Sequence, residues 1–147
     1  MMSELLQLDG SEQVLEIGAG CGYQTAILAR LATSVCALEL EESLAGTARD
    51  HLSGLGVTNV DLRCGNGFAP WPGGGDFDAV LCACAPTELP SAFLDQLAPG
   101  GRLVVPIGLP GTVQTLRCYH RRTDGHVTIE HEEPVRFVPM RPSRSLS

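Results

Sequence analysis

Short apolar runs alternate along the chain with segments whose apolar residues recur at helical spacing. QVLEI, SVCALEL, NVDLRC, FDAVLCA and GRLVVPI are bounded by Gly, Asp or Asn and read as strands. Between them, Tyr23 to Ala32 carries Ala26, Ile27, Ala29 and Leu31 on successive turns. Glu42 to Leu55 opens with acids, holds Leu44, Ala45, Ala48 and Leu52 on one side and meets Gly54 and Gly56 at its end. Pro90 to Leu97 predicts a shorter helix through Phe93, Leu94 and Leu97, stopped by PGG. This order predicts an α/β fold, a doubly wound and mostly parallel sheet with helices on both faces. After GRLVVPIG the pattern changes. TVQTLRCYHR and HVTIEHEEPVRFVP are joined by the turn signal TDG, which predicts an antiparallel C-terminal strand pair. WPGGGDFD reads as a loop, residues 1–140 as one domain, and residues 141–147 as a polar, mobile tail.

Composition narrows the function classes. The chain has 147 residues, enough to bury roughly 70% of its unfolded surface in one core. A net charge of −7 argues against a nucleic-acid or anionic-membrane surface, which needs clustered Lys and Arg. No apolar run approaches the ~20 residues that cross a bilayer. MMSELLQLDG lacks the basic start and apolar core of a signal peptide, so a cytoplasmic location and a monomer are the expectation. Six cysteines include no C-x-x-C pair and sit largely in strand-like runs. Free thiols and no metal site are expected.

Three glycines, Gly18, Gly20 and Gly22, follow the first strand in VLEIGAGCGYQ, and a helix begins at Tyr23. In an open parallel sheet this is where ligands bind, beyond the carboxyl ends of the strands. The spacing G-x-G-x-G differs from the dinucleotide fingerprint G-x-G-x-x-G. Glu16, two residues before Gly18, is expected at the pocket mouth, where a carboxylate suits a cation and repels a pyrophosphate. That favours S-adenosylmethionine, which carries an ammonium and a sulfonium, over a dinucleotide. Glu39 ends the second strand about 20 residues beyond Gly18, where an acid can accept from both ribose hydroxyls. The third strand leads into GNGF. There the Asn66 amide is placed to meet the adenine edge, with Phe68 packed nearby.

VLEIGAGCGYQTAILARL, GNGF, FDAVLCACAPTELP, QLAPGGRLVVPIG and VRFVPM together resemble the protein-L-isoaspartate O-methyltransferases over nearly the whole chain. The glycine loop alone marks only class I methyltransferases, with their Rossmann-like fold. GYQTA, APTELP and VRFVPM are more specific. The resemblance implies S-adenosylmethionine as cofactor and the carboxylate of isoaspartyl residues in damaged proteins as methyl acceptor. It implies cofactor contacts from Glu16, Ile17, Gly18, Ala19, Gly20, Gly22, Tyr23 and Gln24 in the first loop. Glu39, Leu40, Asn66, Gly67, Phe68 and Cys82 follow along the chain.

The chain departs from the family in three places. Asn66 stands where the family usually has Asp. Cys82 and Cys84 occupy positions where small or hydroxyl residues are commoner. The family's Ser/Thr-bearing segment upstream of SELLQL has no counterpart here, so the expectation is cofactor binding with poor methylation of peptides. No catalytic residue is assigned. An aspartyl carboxylate is ionised at neutral pH and needs no general base, and none is evident. A methyltransferase of another substrate class, with Cys82 or Cys84 as base, and a non-catalytic cofactor-binding module remain alternatives.

Overall fold

The computed structural model describes residues 2–142; Met1 and most of the expected C-terminal tail, 143–147, lie outside the described residues. The elements run α1 (Met2–Leu5), β1 (Gln13–Ile17), α2 (Tyr23–Leu31), β2 (Ser34–Glu39), α3 (Glu42–Gly54) and β3 (Val60–Cys64). They continue with β4 (Phe77–Cys82), α4 (Ser91–Asp95), β5 (Leu97–Ile107), β6 (Gln114–Arg121) and β7 (Val127–Val135). One seven-stranded sheet has the order β3-β2-β1-β4-β5-β6-β7. Strands β1 to β5 pair in parallel, and β6 and β7 add on antiparallel. The sheet is the one that the alternating pattern predicts.

The central strands β1, β2, β4 and β5 are largely apolar because both faces of the sheet are covered there, whereas β7 is exposed along most of its length. Val14, Ala79, Leu81 and Val104 turn to one face, beneath Leu28 of α2 and Ala45, Ala48 and Leu52 of α3. Leu15, Ile17, Val80, Cys82, Leu103 and Val105 turn to the other, against Phe93 of α4 and Trp71. Trp71 lies in the crossover between β3 and β4, where a loop replaces a helix. Its backbone N–H donates to Gln96 Oε1 at 2.7 Å, and Arg63 stacks over its ring at 4.7 Å. WPGGGD is thus a loop, as expected, but Phe77 and Asp78 already belong to β4, and the loop delivers a core residue.

One expected boundary is corrected. The helix expected to run to Leu97 ends at Asp95, and Leu97 already pairs with Phe77 in the sheet. Register then jumps from Phe77–Leu97 to Ala79–Arg102, so the PGG segment forms a bulge inside β5. Burial decides the assignment: Leu97 and Phe77 are both core residues on one face of the sheet. No helix of the described residues is long and apolar enough to cross a membrane.

Candidate cofactor site

The topological switch lies between β1 and β4, since β2 and β4 flank β1 on opposite sides. The glycine loop leaves β1 there. Gly18 and Ala19 both donate their N–H groups to Leu38 O, at 2.9 and 3.0 Å, which ties the loop to the end of β2. Gly18, Gly20 and Gly22 have φ of 84°, 58° and 90°, the left-handed region that side chains disfavour. The loop is held from below by Glu39. Its Oε1 accepts the Gly20 N–H at 2.8 Å, and its Oε2 accepts the Glu41 N–H at 2.7 Å.

Above these strand ends is a cavity of about 520 Å³, within the usual ~300–1,000 Å³ range of small-molecule sites. Ile17, Gly18 and Gly20 form its floor, Leu38, Glu39 and Leu40 one wall, and Gly65 and Gly67 another. Ala83 and Cys84, just past β4, and the segment 138–141 complete the lining. That segment is pinned by backbone bonds: Ala85 N–H donates to Val138 O at 2.8 Å, and Met140 N–H to Ala85 O at 2.9 Å. Arg141 Nη2 reaches Glu41 Oε1 at 2.7 Å, closing the strap against the start of α3.

Six of the sequence-predicted positions meet at this cavity: Ile17, Gly18, Gly20, Glu39, Leu40 and Gly67. Gly67 is a close approach, since a Cβ there would lie 2.5 Å from Ile17 Cγ2 and 2.8 Å from Met140 Cε. The other eight lie outside its lining. Ala19 is in the core. Gly22 packs on α3, where a Cβ would stand 3.1 Å from Ala48 Cβ. Tyr23, 74% exposed, borders a separate groove between α2 and α3, and Gln24 lies behind the loop with its Nε2 buried and unpaired. Asn66 Oδ1 accepts the Phe68 N–H at 3.0 Å, so the amide caps its own turn. Cys82 is fully buried on the α4 face of the sheet.

Glu16 requires a correction. It is not at the pocket mouth but fully buried beneath the loop, on the α2 face of the sheet. Alternation along β1 causes this: Ile17 faces the cavity, so Glu16 faces the helix. Thr25 of α2 donates its hydroxyl to Glu16 Oε1, while Oε2 is buried with no hydrogen-bond partner. Burial pushes the carboxyl up to about 7; the Thr25 bond opposes this, and the Glu39 charge adds to it. The preference for a cation over a pyrophosphate then rests on the glycine spacing and Glu39.

Beyond the expected cofactor contacts, the cavity is lined by Leu38, Glu41, Leu44, Gly65, Ala83, Cys84 and the strap from Val138 to Arg141; of these the sequence singles out Cys84, only as an alternative base. Leu38 and Ala83 adjoin strand ends already singled out, and that adjacency was a usable signal. The strap has no local signal, because a bridge between Ala85 and Pro139 spans most of the distance from β4 to the end of the described chain.

Comparison with known proteins identifies relatives of the chain. The family described as Protein-L-isoaspartate(D-aspartate) O-methyltransferase matches residues 1–145. The chain is 46% identical to protein-L-isoaspartate O-methyltransferase 1 of Nitrosospira multiformis, over 95% of its own length and 59% of the relative's. It is 49% identical to the protein-L-isoaspartate O-methyltransferase of Anaeromyxobacter dehalogenans, again over 95% of this chain and 67% of that one. A solved protein-L-isoaspartate O-methyltransferase superposes with a TM-score of 0.84 at 28% identity, covering 94% of this chain and 44% of that structure. A Plasmodium falciparum protein solved with S-adenosyl-L-homocysteine shares the fold, with a TM-score of 0.76 at 22% identity; the match covers 95% of this chain and 71% of that one. The chain thus spans about three-fifths to two-thirds of the length of these bacterial relatives, and it belongs to the protein-L-isoaspartate(D-aspartate) O-methyltransferase family.

Proposed function

We propose that the cavity binds S-adenosylmethionine and that the protein transfers its methyl group to the carboxylate of isoaspartyl residues in damaged proteins. The observation that carries the cofactor reading is the Glu39 carboxylate. Each of its oxygens holds one backbone N–H. A carboxylate offers about four lone-pair sites, so about two remain for a ribose diol at the cavity wall. Gly18 and Gly20 present bare backbone to the same space, and Ile17, Leu38 and Met140 supply apolar walls. These residues fit an adenosyl group. Family membership supports the choice of acceptor.

When bound, this cofactor supplies a sulfonium-activated methyl group, so the chain's task is positioning. Alignment of the reactants can supply about 7–11 kcal/mol of a barrier. Glu39 and the glycine loop fix one reactant against β1 and β2. Met140 and the backbone strap around it wall the same cavity. The acceptor carboxylate is ionised at neutral pH, with an ordinary pKa of about 4, so no residue has to remove a proton. We propose further a cytoplasmic monomer; the net charge of −7 argues against nucleic-acid and anionic-membrane partners.

Calorimetry with S-adenosylmethionine, S-adenosylhomocysteine and NAD tests the cofactor. Binding of both adenosyl ligands is expected; binding of NAD with no response to either of the others overturns the reading. Radiolabelled methyl transfer to an isoaspartyl peptide and its normal aspartyl twin tests the acceptor. Weak transfer that favours the isoaspartyl form is expected, and transfer that ignores the difference overturns it.

A further inference from the structure

Two thiols meet in the wall of the cavity. Cys82 closes β4, and Cys84 follows two residues later on the same side, so their Sγ atoms lie 3.7 Å apart. Cys82 also points its sulfur at Cys84 O, at 3.2 Å. Cys82 is fully buried, whereas Cys84 is half-buried and lines the cavity, where a small solute can reach it. We propose that Cys82 and Cys84 form a modification site for hydroperoxides, which oxidise the pair to a disulfide and thereby weaken cofactor binding.

The pair divides the chemistry between its members. Cys84 faces the cavity, and its thiol is held below the ordinary range by the bond from Cys82, which favours the thiolate. Burial holds the Cys82 thiol up. The Cys84 thiolate attacks one oxygen of the hydroperoxide; an S–O bond forms, the O–O bond breaks, and an alcohol or water leaves. Cys82 then attacks the sulfenic sulfur while its proton passes to the departing oxygen. An S–S bond forms, the S–O bond breaks, and water leaves. Two thiols are oxidised and one hydroperoxide is reduced.

The geometry links this step to the ligand. A disulfide needs sulfurs about 2.05 Å apart, so they must close by roughly 1.7 Å. Cys84 Sγ has close neighbours on both sides. A Cβ at Gly18 would sit only 3.3 Å from it, so the sulfur packs directly on the glycine loop. Its neighbour Ala85 holds the strap through Val138 and Met140. Both walls of the cavity therefore meet at Cys84. The crosslink itself is independent of the proposed cofactor, whereas its effect on affinity rests on that reading. By linkage, bound cofactor must disfavour the crosslink by the factor through which the crosslink weakens cofactor.

The reduced chain is treated with stoichiometric hydrogen peroxide, its free thiols are blocked, and newly reducible thiols are labelled and located by mass spectrometry. Joint labelling of Cys82 and Cys84 is expected. Cys82→Ser should lose that signal and carry oxygen adducts on Cys84. Oxidation of Cys21 and Cys64 while Cys82 and Cys84 stay reduced overturns the site, as does a Cys84 disulfide to any other cysteine. S-adenosylhomocysteine affinity should fall about fivefold or more on oxidation and recover with dithiothreitol. Unchanged affinity overturns the coupling. Failure of reduced protein to bind any adenosyl ligand instead rejects the cofactor reading and leaves the labelling result to judge the dithiol.

Discussion

Glu39 Oε1 accepts the backbone N–H of Gly20 at 2.8 Å, so the acid that ends β2 also shapes the loop that ends β1. As a strand-end acid, Glu39 is expected to offer both carboxylate oxygens to a ligand. The structure gives each oxygen a backbone donor first, and Glu39 therefore carries two tasks.

Glu39→Gln separates them. The amide keeps one acceptor but turns an NH₂ group toward either Gly20 N–H or Glu41 N–H, donor against donor. Hydrogen bonds to a charged group are worth about 1.5–3 kcal/mol each. Adenosyl affinity should drop more than tenfold, and the melting temperature should fall with it. Calorimetry and a thermal melt on the same sample check both. A dissociation constant within twofold of wild type removes Glu39 from the binding site.

The glycines differ in what they protect. At Gly20, φ is 58° and an added Cβ meets nothing within 4 Å, so alanine costs about 1–2 kcal/mol of backbone strain. At Gly22, φ is 90° and the Cβ would press on Ala48 Cβ at 3.1 Å and Cα at 3.2 Å. Strain and overpacking add there, for roughly twice the cost. Urea unfolding should rank Gly22→Ala below Gly20→Ala in stability. Ligand binding should suffer chiefly in Gly20→Ala, the one at the cavity floor. Equal unfolding midpoints for the two variants would contradict the packing role of Gly22.

The contrast between Glu16 and Ile17 marks how far the sequence could be read. The central strands are legible because burial on both faces leaves apolar runs, and the more exposed β6 and β7 because the turn signal TDG joins them. Alternation along β1 puts Ile17 at the cavity and Glu16 against α2, and applying it to the acid would have kept Glu16 from the pocket mouth. Leu97 was harder. A leucine after a short apolar helix reads as its last turn, and only pairing with Phe77 moves it into β5. The strap was beyond local reading, since Val138 and Met140 reach the cavity only through Ala85.

Glu16 sets a pH dependence. Its carboxyl is raised from 4.5 to about 7, chiefly by burial. Between these values the folded state holds a proton that the unfolded state has released. Stability from this group is therefore full below about pH 4.5, declines as pH rises and levels off above about 7. The loss is of order 3 kcal/mol. Glu16→Gln keeps an acceptor for Thr25 and removes the titration. The stability difference between wild type and Glu16→Gln, from urea titrations at several pH values, should shift against wild type across that window. A difference that stays flat means Glu16 titrates alike in both states.

The clasp between Arg141 and Glu41 should matter little to folding and modestly to binding. Their 2.7 Å contact joins the strap to the start of α3 at the cavity rim, but the Arg141 side chain is 55% exposed. Exposed ion pairs contribute about 0.2–1 kcal/mol and are screened by salt. Arg141→Ala should therefore weaken adenosyl binding by no more than about fivefold at low salt, with an unchanged melting temperature. Faster ligand release should account for the change, because the strap's backbone bonds to Ala85 remain and the cavity still forms. In about 0.5 M salt the wild type should approach the variant, since the Debye length there is only a few ångströms. Stopped-flow release rates at the two salt concentrations decide the point. A loss beyond tenfold that survives high salt would mean that Arg141 touches the ligand itself rather than holding the strap.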